Sequence, residues 1–562
     1  MTDQDPAKII LDAIDNAVPA VPVAPPAPSA GSGGTKRPRR DAEPPSSASG
    51  GAGADDETQR RFAGGGLSYT DLDLTLSRLP CTDLGNADRF VRRFGDDFKF
   101  VPEWGWLAWD GSRWNAQEAE AILARAVHKT VKAIRQEADA LRESGLDEQV
   151  DFKKDRPVFA SDRLMGWAIA SQSNAHISCI ATLARSYLTT SSDRFDREPL
   201  AFNVLNGTIR VDKQAPGPDG SYVKFSMHDR RDLITKIAHV RYEPTSTCPV
   251  YDKFLGKVQP DLAMRRHLHA WGGLSLTAMP VAKLSFWYGT GRNGKSTLVD
   301  AWAHLMGDYA QTIPIESFLD TGRARKGGEA SPDIASLPNV RCLRTSEPER
   351  GSTLAEGLIK LVTGGEKMRA RHLNKDFFEF LPVFKLTMQG NYKPKILGTD
   401  EGIWARVLIV PWRVMVPAEE RDIHLPAKLR AEASGILNRL LDGLCDFLDH
   451  GLPEPEEVLA ATQDYREQSD PLGRFITECC DRQDPNARVL AKELYGLYAA
   501  WARSEGEPVW SPKGVSRGLQ EHGVGRHKRS QIFYTGVSLT KTLADFRDEE
   551  VRDESAEIDE RG

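Results

Sequence analysis

The sequence predicts an α/β fold, with a parallel-sheet core, an α+β domain before it and a winged-helix-like module after it. Three observations carry this. Between about Pro244 and Asp470, short apolar strands alternate with helices, the pattern of a parallel sheet with crossover connections. Within that stretch, Phe286-Trp287-Tyr288 reads as an apolar strand running into a glycine-rich loop, and a helix then opens on Lys295-Ser296-Thr297. From about Pro471 to Thr540, two helical stretches precede a basic, hairpin-like segment, Arg526–Leu539.

The 562 residues are enough for several domains, each with its own core. The sequence divides as an arm rich in Pro, Ala, Gly and Ser over 1–66, an α+β domain over 67–243, the parallel-sheet domain over 244–470, a C-terminal module over 471–541, and an acidic tail over 542–562. In the arm, Ala7–Val18 can form a short helix. The basic cluster Lys36–Arg40 is either a solvated stretch or a contact to DNA or a partner. In the α+β domain, Phe100–Trp114 with its Asp110-Gly111 turn predicts a hairpin, as does Asn203–Asp212 around Asn206-Gly207. Ala116–Ser144 and Asp162–Thr190 predict helices. Trp104, Trp106, Trp109 and Trp114 read as a small-domain core, with base stacking the alternative.

The net charge is −6, and the tail Leu543–Gly562 alone carries nine acids against three arginines. The remainder is therefore neutral, and basic surface can be concentrated locally. The seven cysteines are scattered, without metal-site spacing, which points to reduced thiols in a cytoplasm. No stretch has the apolar length of a membrane span, and the acidic start and proline-broken Val18–Pro28 do not form a signal peptide.

Gly289, Gly294, Lys295 and Ser296 satisfy the phosphate-loop pattern G-x-x-x-x-G-K-[ST]. Glycines let successive backbone amides turn inward on a polyphosphate, and the helix N-terminus adds its positive dipole end. Gly289, Thr290, Gly291, Arg292, Asn293, Gly294, Lys295, Ser296 and Thr297 are thus the expected ATP-binding run. Lys295 is expected to reach the β- and γ-phosphates, and Ser296 to complete a Mg2+ shell. Gly289, Gly291 and Gly294 also fit a dinucleotide fingerprint, but such a turn does not need the lysine.

Asn339–Ser346 reads as a core strand with Glu347 at its carboxyl end, and Phe384–Gln389 as a second strand ending at Gly390-Asn391. Glu347 is assigned to the metal and the attacking water, with Glu349 as a weaker partner; Asn391 is assigned to sensing the γ-phosphate. Between them, Lys367, Arg369 and Arg371 alternate with Met368 and Ala370 and share one face of a strand. With Lys375 near the tip of the turn, they form a cationic hairpin suited to a DNA backbone. Arg406 precedes an apolar strand, where it can serve a neighbouring subunit's γ-phosphate or a structural ion pair.

Together these residues resemble the superfamily 3 helicases, specifically the phage/plasmid primase–helicase family typified by phage P4. Asn339–Pro411 is similar to that family's run of acid, basic hairpin, sensor asparagine and arginine finger. Asp83–Trp114 and Asn203–Thr208 resemble the domain before the motor; Asp464-Tyr465, Asp470, Phe475 and Ala491–Trp501 resemble its C-terminal extension. The resemblance implies an AAA+-like core and a homo-oligomeric ring, a hexamer, that moves along single-stranded DNA with ATP and Mg2+ and unwinds forked DNA. ATP would lie between subunits, with Arg406 acting in trans and Lys375 with Arg371 following the strand. It also implies replication of a phage, prophage or plasmid in a bacterial cytoplasm, alongside a separate primase or origin-binding protein. Longer family members carry a primase domain. Asp71-x-Asp73 imitates a metal-binding pair, but no folded domain is expected around it, so primer synthesis is not expected. Two other classes stay open: an origin-binding module using Arg526, Lys528 and Arg529, and an ATPase acting on something other than DNA, against which the basic hairpin speaks.

Overall fold

The computed structural model describes residues 69–217, 221–320, 332–371, 377–398, 401–528 and 530–546. The arm with Lys36–Arg40, Lys375, Arg529 and most of the acidic tail lie outside the described residues.

Helices α1 (Tyr69–Leu76) and α2 (Asp83–Phe94) lead into an antiparallel sheet of β1 (Phe98–Val101), β2 (Gly105–Trp109) and β3 (Trp114–Asn115). Asp110 shapes the β2–β3 turn, its Oδ1 accepting from the amides of Ser112 and Arg113 at 2.8 and 2.9 Å. Trp106 and Trp114 are buried, with Trp104 and Trp109 half-buried around Trp114, so the tryptophans build the core. The long α3 (Ala119–Glu143) follows, then an exposed hairpin of β4 (Gln149–Lys153) and β5 (Arg156–Phe159). The pattern over Asp162–Thr190 resolves into α4 (Ala160–Ala170) and α5 (Asn174–Leu188), divided where the Ser173 side chain caps α5 by accepting from the His176 amide. Two buried arginines tie the helices together. Arg89 donates to Glu137 at 2.7 Å, and Arg93 bridges Asp73 and Glu137 at 2.6 and 2.8 Å. Asp73 is thereby committed to an ion pair inside the fold.

A second antiparallel sheet, β6 (Ala201–Val204), β7 (Gly207–Val211) and β8 (Val223–Ser226), contains the hairpin that the sequence predicts, but turns at Leu205-Asn206, one residue before the expected Asn206-Gly207, because Gly207 pairs with Val204 as the first residue of β7. Helices α6 (Pro249–Val258) and α7 (Leu262–Leu274) precede the central sheet. That sheet contains β9 (Leu284–Tyr288), β10 (Ala310–Ile313), β11 (Cys342–Thr345), β14 (Lys385–Gly390) and β15 (Val407–Pro411), in the order β10-β11-β14-β9-β15 and all parallel. Strands β9 and β15 are nearly continuous apolar runs because both faces of the sheet are covered there. Between them run α8 (Lys295–Met306), α9 (Pro332–Ala335), α10 (Glu356–Thr363), the hairpin β12 (Met368–Ala370) and β13 (Phe378–Phe380), and α11 (Glu401–Trp404). Helices α12 (Leu425–Ala431), α13 (Ala433–His450) and α14 (Glu456–Gln468) complete this part. One face of the sheet shares a core with α6, α7 and α13, and that core also takes in Phe202, Val204, Ile209 and Val211 from β6 and β7.

The last part runs α15 (Pro471–Cys479), β16 (Cys480–Asp481), β17 (Arg488–Leu490), α16 (Ala491–Ser504), α17 (Pro512–Glu521), β18 (Gly525–Lys528), β19 (Ile532–Thr535) and β20 (Ser538–Leu539). Strands β17, β19 and β18 form an antiparallel sheet in that order, over a core of its own built on Phe475, Tyr498 and Trp501. His522, just past α17, places Nε2 3.0 Å from Oδ2 of Asp470, the N-cap of α15. That carboxylate raises the His522 pKa, against burial and the nearby Arg482, with Glu521 adding to the rise. A raised folded-state pKa means the pair contributes fully below the unfolded value of about 6.5 and is lost as pH climbs through the folded one. Thermal unfolding across this range should show wild type more stable than His522→Gln on the acid side and equal to it on the alkaline side. A pH-independent difference would reject the assignment.

Among the described residues, no helix is long and apolar enough to cross a membrane.

Candidate functional site

The site is built at the carboxyl ends of β9, β14 and β11, the edge where open parallel sheets bind ligands. β9 ends at Tyr288 and the chain turns through 289–294 into α8. Two glycines are required. A Cβ on Gly289 would stand 2.2 Å from the Trp412 carbonyl oxygen, and Gly294 has φ +85°. Asn293 is buried and staples the loop shut, its Nδ2 donating to the carbonyls of Thr290 and Trp412 at 3.1 Å each. The Val416 amide holds the Arg292 carbonyl from outside at 3.0 Å. Thr290, Gly291 and Arg292 are left exposed at the rim, beside the N-terminus of α8.

Lys295 is buried, and its Nζ donates to the Gly289 carbonyl at 2.6 Å, to Asn293 Oδ1 at 3.1 Å and to Asn391 Oδ1 at 3.4 Å. Burial lowers its pKa, and the Glu347 carboxylate opposes that shift. Asn391 Nδ2 in turn donates to Glu347 Oε2 at 3.1 Å. Lysine, amide and carboxylate, drawn from three separate strands' ends, therefore form one hydrogen-bonded chain. The Ser296 hydroxyl donates to Gln389 Oε1 at 3.2 Å. Ser296, Gln389 and Glu347 together present the oxygen donors that a hard divalent cation such as Mg2+ takes, so the residues present fit one. Thr297 is half-buried on the first turn of α8, and Glu349 is exposed two residues past Glu347.

Three roles here have no signal in the local sequence, or only a faint one. Gln389 lies near the end of β14, whose residues alternate polar and apolar, and only the pairing of β14 with β9 brings it to Ser296. The stapling role of Asn293 depends on Trp412, 119 positions away. Lys393 sits over the rings of Tyr288 and Tyr465, at 5.0 and 4.8 Å, and donates to Gln468 at 3.0 Å. Burial lowers its pKa, partly countered by Asp464. The composition of Asn391-Tyr392-Lys393-Pro394 holds a hint of it, since that lysine closely follows the sensor position.

The hairpin alternates as its sequence predicts: Met368 and Ala370 are buried while Lys367 and Arg369 are exposed. The guanidinium groups of Arg369 and Arg371 both lie against the Phe377 ring, at 4.4 and 4.9 Å, which fixes them on one face. Lys375 falls outside the described residues. Arg406 stands at the opposite end of the sheet from Lys295, its carbonyl accepting from the amide of Leu284, the first residue of β9. Its side chain is half-buried and donates to Thr363 Oγ1 at 3.1 Å and the Gly402 carbonyl at 2.5 Å. Lys295, Ser296, Glu347 and Asn391 are thus brought together, and Arg406 is held apart from them.

This strand–loop–helix arrangement on a parallel five-stranded sheet is an α/β core compatible with a P-loop-like one. Residues 87–260 match the protein family described as "D5 N terminal like". The chain is 27% identical over 297 residues to "Putative helicase L207/L206" of Acanthamoeba polyphaga mimivirus, covering 49% of this chain and 31% of that protein. It is 29% identical over 282 residues to "Putative helicase 022R" of Frog virus 3, covering 46% of this chain and 29% of that one. It is 23% identical over 351 residues to "Putative primase C962R" of African swine fever virus, covering 56% of this chain and 34% of that one. The chain spans about a third of the length of these relatives. Among solved structures, the apo C-terminal region of NrS-1 aligns at 13% identity over 53% of this chain and 78% of that one, with a TM-score of 0.34. The chain is thus similar, over part of its length, to viral proteins named as putative helicases and primases.

Proposed function

We propose that the chain is an ATP- and Mg2+-dependent DNA helicase that moves along single-stranded DNA as a homo-oligomeric ring and unwinds duplex during replication of a phage, prophage or plasmid. The observation that carries this reading is the Lys295–Asn391–Glu347 chain, which joins a phosphate-loop cation, a polar sensor and an acid across three strand ends. In this reading the amides of 289–295 and Lys295 bind the polyphosphate, and the negative γ-phosphate replaces Asn391 and Gly289 as the partner of Lys295. Ser296 and Glu347 hold the metal, which would supply charge neutralisation on the phosphates. Glu347 orients the water, and Asn391 is released to contact the γ-phosphate. Arg406, remote from its own subunit's loop, would complete the site of a neighbour, which makes the ring a requirement for turnover.

The sheet order, with the phosphate-loop strand between β14 and β15, supports an AAA+-like core. The order helix, two short strands, two helices, three strands in the last part supports a winged helix, with the exposed β18 as its wing. The exposed cationic face around Phe377 supports contact with a DNA backbone. Arg369→Ala should weaken single-stranded DNA binding and reduce the slope of log K against log salt by about 0.7, the share of one phosphate. An unchanged slope would move the DNA path elsewhere.

The deciding experiment is ATP hydrolysis by the purified protein with and without single-stranded DNA. Strong stimulation by DNA is expected, followed by unwinding of a forked duplex. Turnover indifferent to DNA would reject the motor.

A further inference from the structure

Away from the phosphate loop, a cavity of about 730 Å³ opens between the end of α2, the β2–β3 turn, one face of α3 and the segment just after β8. This is within the range of small-ligand sites, and its lining is divided by chemistry. The Trp109 ring and Met227 give an apolar wall, while Arg125 and Lys129, one turn apart on α3, stand exposed along one side. Spacing of four residues keeps both cations on the same helical face.

Two of the three acids in this cavity, Asp97 and Asp110, already have partners. Asp97 is buried at the floor with Arg230 at 2.6 Å from its Oδ1, and Asp110 is taken up by its own turn and by Arg113 at 3.5 Å. Glu118 stands exposed at the rim. Arg125, by contrast, makes no ion pair among the described residues, and neither do Lys132 and Arg135 farther along α3. Positive charge therefore runs out of the cavity along the helix. An aromatic wall and cations spaced for a phosphate are the two parts that hold a nucleotide unit of a single strand.

We propose that this cavity receives a base of single-stranded nucleic acid, stacked on Trp109, with the adjoining phosphates on Arg125 and Lys129. The choice of a strand over a free nucleotide rests on the helicase reading and on the cations that continue along α3. The region before the motor then holds a second contact to the strand, separate from the β12–β13 hairpin.

The test uses the full chain and an oligothymidylate carrying 5-iododeoxyuridine, photocrosslinked in the absence of ATP and mapped by peptide mass. The expected result is a crosslink to the peptide holding Trp109. Arg125→Ala with Lys129→Ala, both on an exposed helical face, should diminish that crosslink and lower the salt slope by about 0.7 for each phosphate no longer neutralised. DNA-independent ATP turnover should not change. Displacement of the crosslink by thymidine monophosphate alone would identify a free nucleotide as the occupant and overturn the strand assignment. Crosslinks confined to the Phe377 hairpin, with an unchanged slope in the double variant, would overturn the inference while leaving the helicase reading standing. Absence of crosslinks at both places would overturn both.

Discussion

Lys295→Ala is expected to lower ATP hydrolysis by on the order of 10²–10³ or more, the cost of removing a charge-stabilising donor from a preorganised site. The fold should survive. The groups that Nζ holds are a carbonyl of the loop and two side-chain amides, and the loop stays closed without the ammonium through Asn293 and Trp412. The measurement is steady-state hydrolysis beside a thermal melt. A variant with a wild-type melt and substantial turnover would reject the phosphate-loop assignment.

Arg406→Ala is expected to be inactive on its own, with a loss of about 10³–10⁵ in rate if the guanidinium reaches a neighbour's γ-phosphate. Its position makes a sharp distinction possible. Within its own subunit it lies at the amino end of β15, across the length of the sheet from Lys295, so it cannot serve its own loop without dismantling the strand. Mixing Arg406→Ala subunits with Lys295→Ala subunits should therefore restore part of the activity. An interface with its loop from one subunit and its arginine from the other is intact. If mixed rings are demonstrated and no activity returns, the bonds to Thr363 and Gly402 are the purpose of Arg406, and the residue is structural.

The site is legible in the sequence wherever its residues are fixed by local chain geometry. The loop from Gly289 to Thr297 is contiguous. Glu347 and Asn391 announce themselves as polar residues at the ends of apolar runs, where a strand's next residues must emerge at the edge of the sheet. The alternation of Lys367, Met368, Arg369 and Ala370 gives its buried and exposed faces directly, because strand periodicity is two. What is not legible depends on which strands are neighbours. Gln389 looks like an ordinary strand residue until β14 lies beside β9, and Asn293 looks like a phosphate ligand until Trp412 arrives to claim its amide. Lys385 shows the same limit in the core. It sits in an apolar strand, buried, and donates to the carbonyls of Thr277, Met279 and Val383, with burial driving its pKa far down. No pattern in its own segment foretells the two carbonyls, of Thr277 and Met279, that come from 108 and 106 positions away. The break between α4 and α5 is hidden for a different reason: the apolar period continues across Ser171-Gln172-Ser173, and only the capping hydroxyl reveals the new start.

The four apolar side chains that β6 and β7 insert into the core of the central sheet have a consequence for how such chains can be rearranged in evolution. Arg341, buried beside β11, reinforces the same union by donating to the carbonyls of Ala201 and Leu276 at 2.6 Å each. A recombination that joined this central-sheet domain to a different leading segment at Pro244 would leave those positions without their packing partners and Arg341 without one of its acceptors. A crossover upstream of Ala201 would carry the hairpin along and leave that core whole. The heritable unit of the central-sheet domain therefore begins before its first helix, at a β-hairpin that composition alone would assign to its neighbour.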